Sequence, residues 1–376
     1  MPTPALDYLR ELVALSGPSG AEEDVIRTIA RHVRPLVDTL ELDAFGNLIA
    51  VRQGATPAAP RCAIAAHMDE IGFLVRAIED NGYLRFEKVG GTDNRVLLAQ
   101  RVWVRPRAGP RAGHGRLLGV IGTKSAHFLK DADRTSVPPH IDQYIDIGAR
   151  DRADVARMGV RVGDPVGFTG ELAELGLESG RYTAHALDDR VGCAVLLAVL
   201  DELRGDPLPV TVVALFTVQE EVGLRGAQAA IKGRDADVGL AVDTTALDDT
   251  PETATYHLRL GAGPAIKAMD ASTLPHPAVR RTLLAAAERA GVPAQHELLT
   301  GIGTDAGALQ FGGRGGGGLP VGTLSIGTRY THSPVEVLDE RDLDGAARLL
   351  RYFLLALPGV DLRFTTLDEW PESSAP

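Results

Sequence analysis

Three apolar runs in this sequence each end on side chains that can hold a metal ion or move a proton. Residues 61–66 (RCAIAA) lead into His67-Met68-Asp69, 210–218 (VTVVALFTV) into Gln219-Glu220-Glu221, and 238–242 (VGLAV) into Asp243-Thr244-Thr245. Two further candidates follow the same logic: Asp188-Asp189 stands immediately before a helical pattern at 190, and His332 in RYTHSPVE follows the apolar run 319–326. Singly, each has an ordinary structural reading. A His at a strand end is more often a satisfied structural histidine, an Asp before a helix is usually its N-cap, which suits one of Asp188 and Asp189, and adjacent glutamates can form a solvated loop. Convergence is what carries weight. Ligands in an open α/β sheet gather beyond the carboxyl ends of the strands, so all five segments would share one rim. Carboxylates crowded there repel one another unless a dication sits among them.

The charges suit two dications. Two neutral imidazoles (His67, His332) and three carboxylates (one of Asp188 and Asp189, with Glu221 and Asp243) carry three negative charges, against four positive charges on two zinc-like ions. One carboxylate must bridge, because five side chains serve two sites that each keep an open position for catalysis. Donors of the His/Asp/Glu type without Cys favour Zn, Co or Mn over a soft-thiolate metal. Asp69, two residues from His67, is placed to fix the tautomer of the imidazole. Glu220, beside Glu221 but not needed by the ligand count, is the natural acceptor of a proton from the attacking water.

The elements that would position these residues can be read from periodicity. The three apolar runs read as fully buried strands. Between them lie helical patterns at 190–203 and 223–232, with others at 276–291 and 340–357. At the N-terminus Leu6, Leu9, Leu12 and Val13 share one helical face, and Val25, Ile26, Ile29 and Val33 repeat the pattern after Ser19 and Glu22, which are spaced as a capping box. Alternating strand and helix predict an α/β fold, a mixed sheet sandwiched by helices. Residues 71–181 have another texture, with β-type runs at 71–78, 83–89, 101–105 and 116–121, an Asn81-Gly82 turn and one helical stretch at 151–158. The expected organisation is therefore a catalytic α/β domain formed by 1–70 and 182–376, interrupted by a small β-barrel-like domain at 71–181. The acidic tail from about 366 reads as frayed. GGRGGGG at 312–318 reads as a mobile loop, and without a following Lys-Ser/Thr it is no phosphate cradle.

Composition bounds the function class. The chain has 376 residues, 44% hydrophobic and 24% charged, enough to bury a core of its own. A formal net charge of −11 with scattered Lys and Arg argues against a nucleic-acid partner. The first residues lack the pattern of a signal peptide, and no run of about 18 apolar residues suggests a membrane span, so a cytoplasmic location is expected. Cys62 and Cys193 each lie inside an apolar segment and read as buried free thiols.

The segments AAHMDEIGF, ALDDRVG, TVQEEVGLRGA, AVDTT, GTDAGAL and RYTHSPVE, in that order, resemble the tetrahedral (TET) aminopeptidases of metallopeptidase family forty-two, over nearly the whole chain. The resemblance implies two divalent metal ions per subunit, zinc or cobalt. It implies His67, Glu221, Asp243 and His332 as terminal ligands, Asp188 as the bridge, Glu220 as general base and Asp69 as orienter. It pairs His67 and Asp243 on one metal and Glu221 and His332 on the other, with a cis peptide after Asp188. It further implies peptide substrates with a free N-terminus, and a β insertion that forms dimers assembling into a hollow dodecamer. Two departures are SIGT before RYTHSPVE, where such relatives commonly have SIPT, and the glycine-rich 312–318 segment. Other readings of the same residues are a two-metal deacylase or amidohydrolase acting on a small-molecule amide, and a non-catalytic assembly protein on the same fold. A glycosidase is disfavoured, because this site spends its carboxylates on ligation.

Overall fold

The computed structural model describes residues 4–107, 115–131, 135–251 and 257–364; the tail from about 366 lies outside them. Along the chain come α1 (Pro4–Val13), α2 (Glu23–Val33), β1 (Thr39–Leu42), β2 (Leu48–Arg52) and β3 (Arg61–His67). Then follow β4 (Gly72–Ile78), β5 (Leu84–Val89), β6 (Arg101–Val104), β7 (Leu117–Ile121), β8 (Ile145–Asp146), α3 (Arg152–Met158) and β9 (Pro165–Phe168). A short hairpin, β10 (Ala173–Glu174) and β11 (Arg181–Ala184), precedes α4 (Leu187–Glu202), β12 (Thr211–Thr217), α5 (Arg225–Ile231) and β13 (Val238–Ala246). The chain continues through β14 (Ala265–Met269), α6 (Pro277–Ala290), β15 (Gln295–Leu298), α7 (Ala306–Leu309), β16 (Val321–Thr328), β17 (Glu336–Asp339) and α8 (Glu340–Ala356).

Eight of these strands pair in the order β1-β2-β12-β3-β13-β16-β14-β15. The central pairs β12/β3, β3/β13 and β13/β16 are parallel, while β1/β2, β2/β12 and β14/β16 are antiparallel, so the sheet is mixed as expected. Side chains alternate across a strand, and β3 shows the result. Cys62, Ile64 and Ala66 enter the core beneath α1, α2, α4, α6 and α8, whereas Ala63 and Ala65 face the core under α5 and α7. Helix α4 is buried from Leu187 to Leu200, which suits a sequence apolar on every side. Burying each of its Leu and Val side chains contributes about 1.5–3 kcal/mol.

Strands β4-β5-β8-β7-β6-β9 close into a separate barrel. Its centre is filled by Phe73, whose ring meets those of Phe86 and Phe168 edge-on at 4.9 and 5.3 Å between centroids. Gly82 takes a left-handed φ of 86° in the β4–β5 turn, as the Asn-Gly pair predicts. After the barrel the chain returns through β10 and β11, and β11 pairs with β17. Hydrogen bonds from Gly17 N and His185 Nδ1 to Glu70 hold the entry to the barrel, and Arg190 Nη2 stands 3.7 Å from the same carboxylate.

Two local readings are revised. Ser19 and Glu22 do not form a capping box: helix α2 starts at Glu23 without a side-chain cap, Glu22 accepts from Gly20 N, and the Ser19 hydroxyl donates to Asp69 at 2.6 Å. A buried carboxylate is a stronger acceptor for that hydroxyl than a helix N–H is a donor to it. Strand β13 also runs past Val242 to Ala246, because β16 pairs with it as far as Thr328. Asp243 thus lies within a strand rather than after one.

Candidate metal centre

The carboxyl ends of β3, β12, β13 and β16 point to one rim, and the candidate residues meet there. His67 is the last residue of β3, Glu220 and Glu221 follow β12, Asp243 lies in β13, and Asp188 opens α4. His332 sits between β16 and β17 in a left-handed conformation, φ 62°. Two triads of donor atoms come within 4.8 Å of one another: His67, Asp188 and Asp243, and Asp188, Glu221 and His332. Asp188 is common to both. Its Oδ1 is 3.2 Å from His67 Nε2 and its Oδ2 is 3.4 Å from His332 Nε2. His332 Nε2 is 3.2 Å from Glu221 Oε2, and His67 Nε2 is 3.8 Å from Asp243 Oδ1. Glu220 Oε2 stands 4.0 Å from His67 Nε2, inside the same hollow.

Backbone geometry at the start of α4 divides the two aspartates. The Asp188–Asp189 peptide is cis. Asp188 and Asp189 have non-helical φ/ψ at the start of α4, and Asp189 accepts from Gly192 N at 3.0 Å, as an N-cap does for the regular turns that follow, and from His67 N at 3.1 Å, while Asp188 faces the rim. Gly192 has to be glycine: a Cβ there would lie 2.4 Å from an Asp189 oxygen and 2.6 Å from Val242 O.

The electrostatics are those of a cluster that needs cations. Burial pushes the Glu221 carboxyl up to about 8 and that of Asp243 up to about 7, helped in each by the neighbouring Asp188 charge. Glu220 is raised well above the usual carboxylate range by burial and by Asp243, Asp305 and Glu221. Burial would raise Asp188 too, but His332 and His67 hydrogen-bond to it and hold it low. At the imidazoles the carboxylates overcome desolvation: Asp188 and Asp69 raise His67, and Glu221 with Asp188 raises His332 up to about 10. Two dications among these carboxylates would offset the burial and mutual repulsion that raise them. Glu221 Oε1, buried with no hydrogen-bond partner, is an acceptor that a cation would satisfy. The residues fit divalent metal.

Asp69 contacts several residues of the site. His67 Nδ1 lies 3.1 Å from the Asp69 backbone oxygen and 3.5 Å from its Oδ1. The carboxylate also accepts from Glu220 N at 3.0 Å, Glu221 N at 3.2 Å and the Ser19 hydroxyl. One buried acid thereby ties His67 to the loop carrying Glu220 and Glu221.

Sequence reasoning overlooked Glu336. Buried in β17, it accepts from Asp188 N at 3.0 Å with one oxygen and from His332 N at 2.8 Å with the other. Its motif, RYTHSPVE, was in view, but an acid four residues from a histidine gives no sign that it clasps the backbone of two site residues. The barrel also reaches the site. Thr92 Oγ1 donates to His332 O, and a Cβ at Gly91 would lie 3.6 Å from the His332 ring.

A cavity of about 500 Å³ opens over the cluster, lined by His67, Asp188, Glu220, Glu221, Asp243 and His332 together with residues 223–224, 244–246 and 301–303. Both free cysteines are buried, and burial raises their thiols, so neither is an available nucleophile.

The chain is similar to known proteins over most of its length. Residues 46–349 match the family model described as M42 glutamyl aminopeptidase. The structure is similar to an aminopeptidase from the archaeon Desulfurococcus kamchatkensis, with a TM-score of 0.86 and 40% identity over 93% of this chain and 94% of that one. It is also similar to a TET peptidase of Pyrococcus horikoshii described as assembling into a tetrahedron or a large octahedral shell, with a TM-score of 0.82 and 34% identity over 94% and 100% of the two chains. A lysyl aminopeptidase of Pyrococcus furiosus is 31% identical over 94% of this chain and 98% of its own.

Proposed function

Because this chain belongs to the M42 glutamyl aminopeptidase family, we propose that it is a two-metal aminopeptidase removing single residues from the free N-terminus of short peptides. The observation that carries the reading is Asp188, with one carboxylate oxygen toward each imidazole and a triad of donors on either side. His67 and Asp243 would complete one cation site, Glu221 and His332 the other, with zinc or cobalt as the expected metal. Bound there, the cations supply Lewis acidity to the scissile carbonyl and lower the pKa of water.

The chain's own residues do the rest. Glu220, outside both triads and facing the hollow, takes the proton of the attacking water and returns it to the leaving amine. Asp69 fixes Glu220 relative to His67 through the hydrogen bonds described above. We assign catalysis to residues 1–70 and 182–376, and dimer formation to the barrel insertion 71–181, with dimers building a closed homo-oligomer of the TET kind.

A peptide with a free N-terminus and its N-acetyl counterpart, incubated with the enzyme and followed by mass spectrometry, test the reading. Stepwise loss of single residues from the free peptide alone is expected, abolished by chelation and restored by Zn²⁺ or Co²⁺. Equal cleavage of both peptides, internal fragments, or full turnover by metal-free protein would contradict it.

A further inference from the structure

The part of the cavity lining outside the metal centre bears on which N-terminal side chain the enzyme accepts. That wall is formed by Leu224, Thr244, Thr245, Ala246, Ile302 and Gly303. None of these ionises. Among the described residues, every ionisable side chain lining the cavity already belongs to the centre: His67, Asp188, Glu220, Glu221, Asp243 and His332.

Charged residues just beyond the wall are paired or do not line the cavity: Arg225 is exposed outside the lining, and Asp305 is buried outside it, accepting from the Thr217 hydroxyl. On β14, Lys267 is fully buried, with Nζ 3.2 Å from Asp270 and 2.9 Å from Glu297, and it does not line the cavity. Past Ala246, Asp248 accepts from His257 N and Leu258 N, and Asp249 makes two 2.7 Å hydrogen bonds with Arg329. A glutamate or lysine side chain entering here would lose its water and find no free counter-charge, which is unfavourable for any ion. A hydrocarbon chain of the same length loses nothing and gains contact with Leu224 and Ile302.

We propose that this subsite selects an uncharged, aliphatic N-terminal residue and discriminates against both glutamate and lysine. The inference rests on the aminopeptidase reading above and deepens it. Ile302, partly buried against Leu258, Ala265 and Leu299, is the wall residue at which a charge can be introduced without touching a metal-centre side chain.

The test uses the metal-loaded enzyme and four aminoacyl-coumarin amides in two length-matched pairs, norleucine against lysine and methionine against glutamate. Assays run at high ionic strength, so that the net charge of −11 does not steer lysine inward. The neutral member of each pair should show kcat/KM higher by at least about tenfold. Free norleucine should inhibit competitively where free lysine and glutamate do not. In Ile302→Arg the methionine-to-glutamate ratio should fall by about tenfold. Equal or faster release of lysine or glutamate by the unaltered enzyme overturns this inference alone. An unchanged ratio in a folded, metal-replete Ile302→Arg enzyme also overturns it. No release from any of the four overturns the aminopeptidase reading together with it.

Discussion

Two glutamates near the centre touch it in different ways, and substitution should separate them. Glu220 points its carboxylate into the cavity and is outside both donor triads. Glu220→Gln is therefore expected to lower kcat by about 10²–10⁴-fold with metal content unchanged. Glu336 faces away from the cavity and holds the backbone of Asp188 and His332. Its loss should act on metal retention: Glu336→Ala is expected to weaken metal affinity by about 10–100-fold, while Glu336→Gln, which keeps one acceptor, falls between it and the unaltered enzyme. Metal titration beside kcat on the same preparations checks both. Loss of metal in Glu220→Gln would exchange the roles of Glu220 and Glu221, and unaltered affinity in Glu336→Ala would reduce Glu336 to a packing residue.

The joint between the barrel and the sheet rests on few groups. Glu70, one residue before the barrel, receives Gly17 N from the loop after α1 and His185 from the turn before α4, with Arg190 of α4 alongside. Burial would raise its carboxyl, but His185, Arg190 and the Gly17 N–H more than offset that and hold it below the usual range. Glu70→Gln leaves the buried Arg190 guanidinium without a counter-charge, at a cost of about 3 kcal/mol. An acid whose folded pKa is depressed contributes stability above its unfolded pKa and loses it as pH falls through the folded one. The stability gap between the two proteins should thus be constant from neutrality to about pH 5 and narrow below about pH 4. Denaturant titration across that range checks it, and a gap that widened in acid would reverse the sign given to Glu70.

For the whole molecule the open question is assembly. On β7 the side chains alternate, Gly119 and Ile121 inward, Leu118 and Val120 outward, the latter two 50% and 42% exposed. Phe128, Val137 and Ile141 are also exposed in the barrel insertion. Apolar side chains gathered on one module suit association between copies. Light scattering should report a mass several times that of one chain, and Leu118→Asp with Val120→Asp should lower it. A monomer with full activity would remove the role given to the insertion.

The alternation of apolar runs with helical patterns determined the α/β class, because burial on both faces forces strands without polar alternation. The strand ends identified His67, Glu220, Glu221 and Asp243, since side chains at the carboxyl ends of parallel strands share one rim whatever the loops do. Reading β13 as ending at Val242 failed for a reason of the same kind: its end is set by its partner β16, which a local pattern does not contain. The resemblance singled out Asp188, but only the tertiary structure gave Asp189 its own partners, redirected Ser19 from a helix cap to Asp69, and brought Glu336 to two backbone amides. Each of these includes a contact between groups that the fold brings together across 50 or more residues, Ser19 with Asp69, His67 N with Asp189 and Asp188 N with Glu336, and hydrogen bonds of that reach leave no periodic trace along the chain. The neutral wall of the cavity is of the same origin, assembled from three separate segments whose residues are unremarkable one by one.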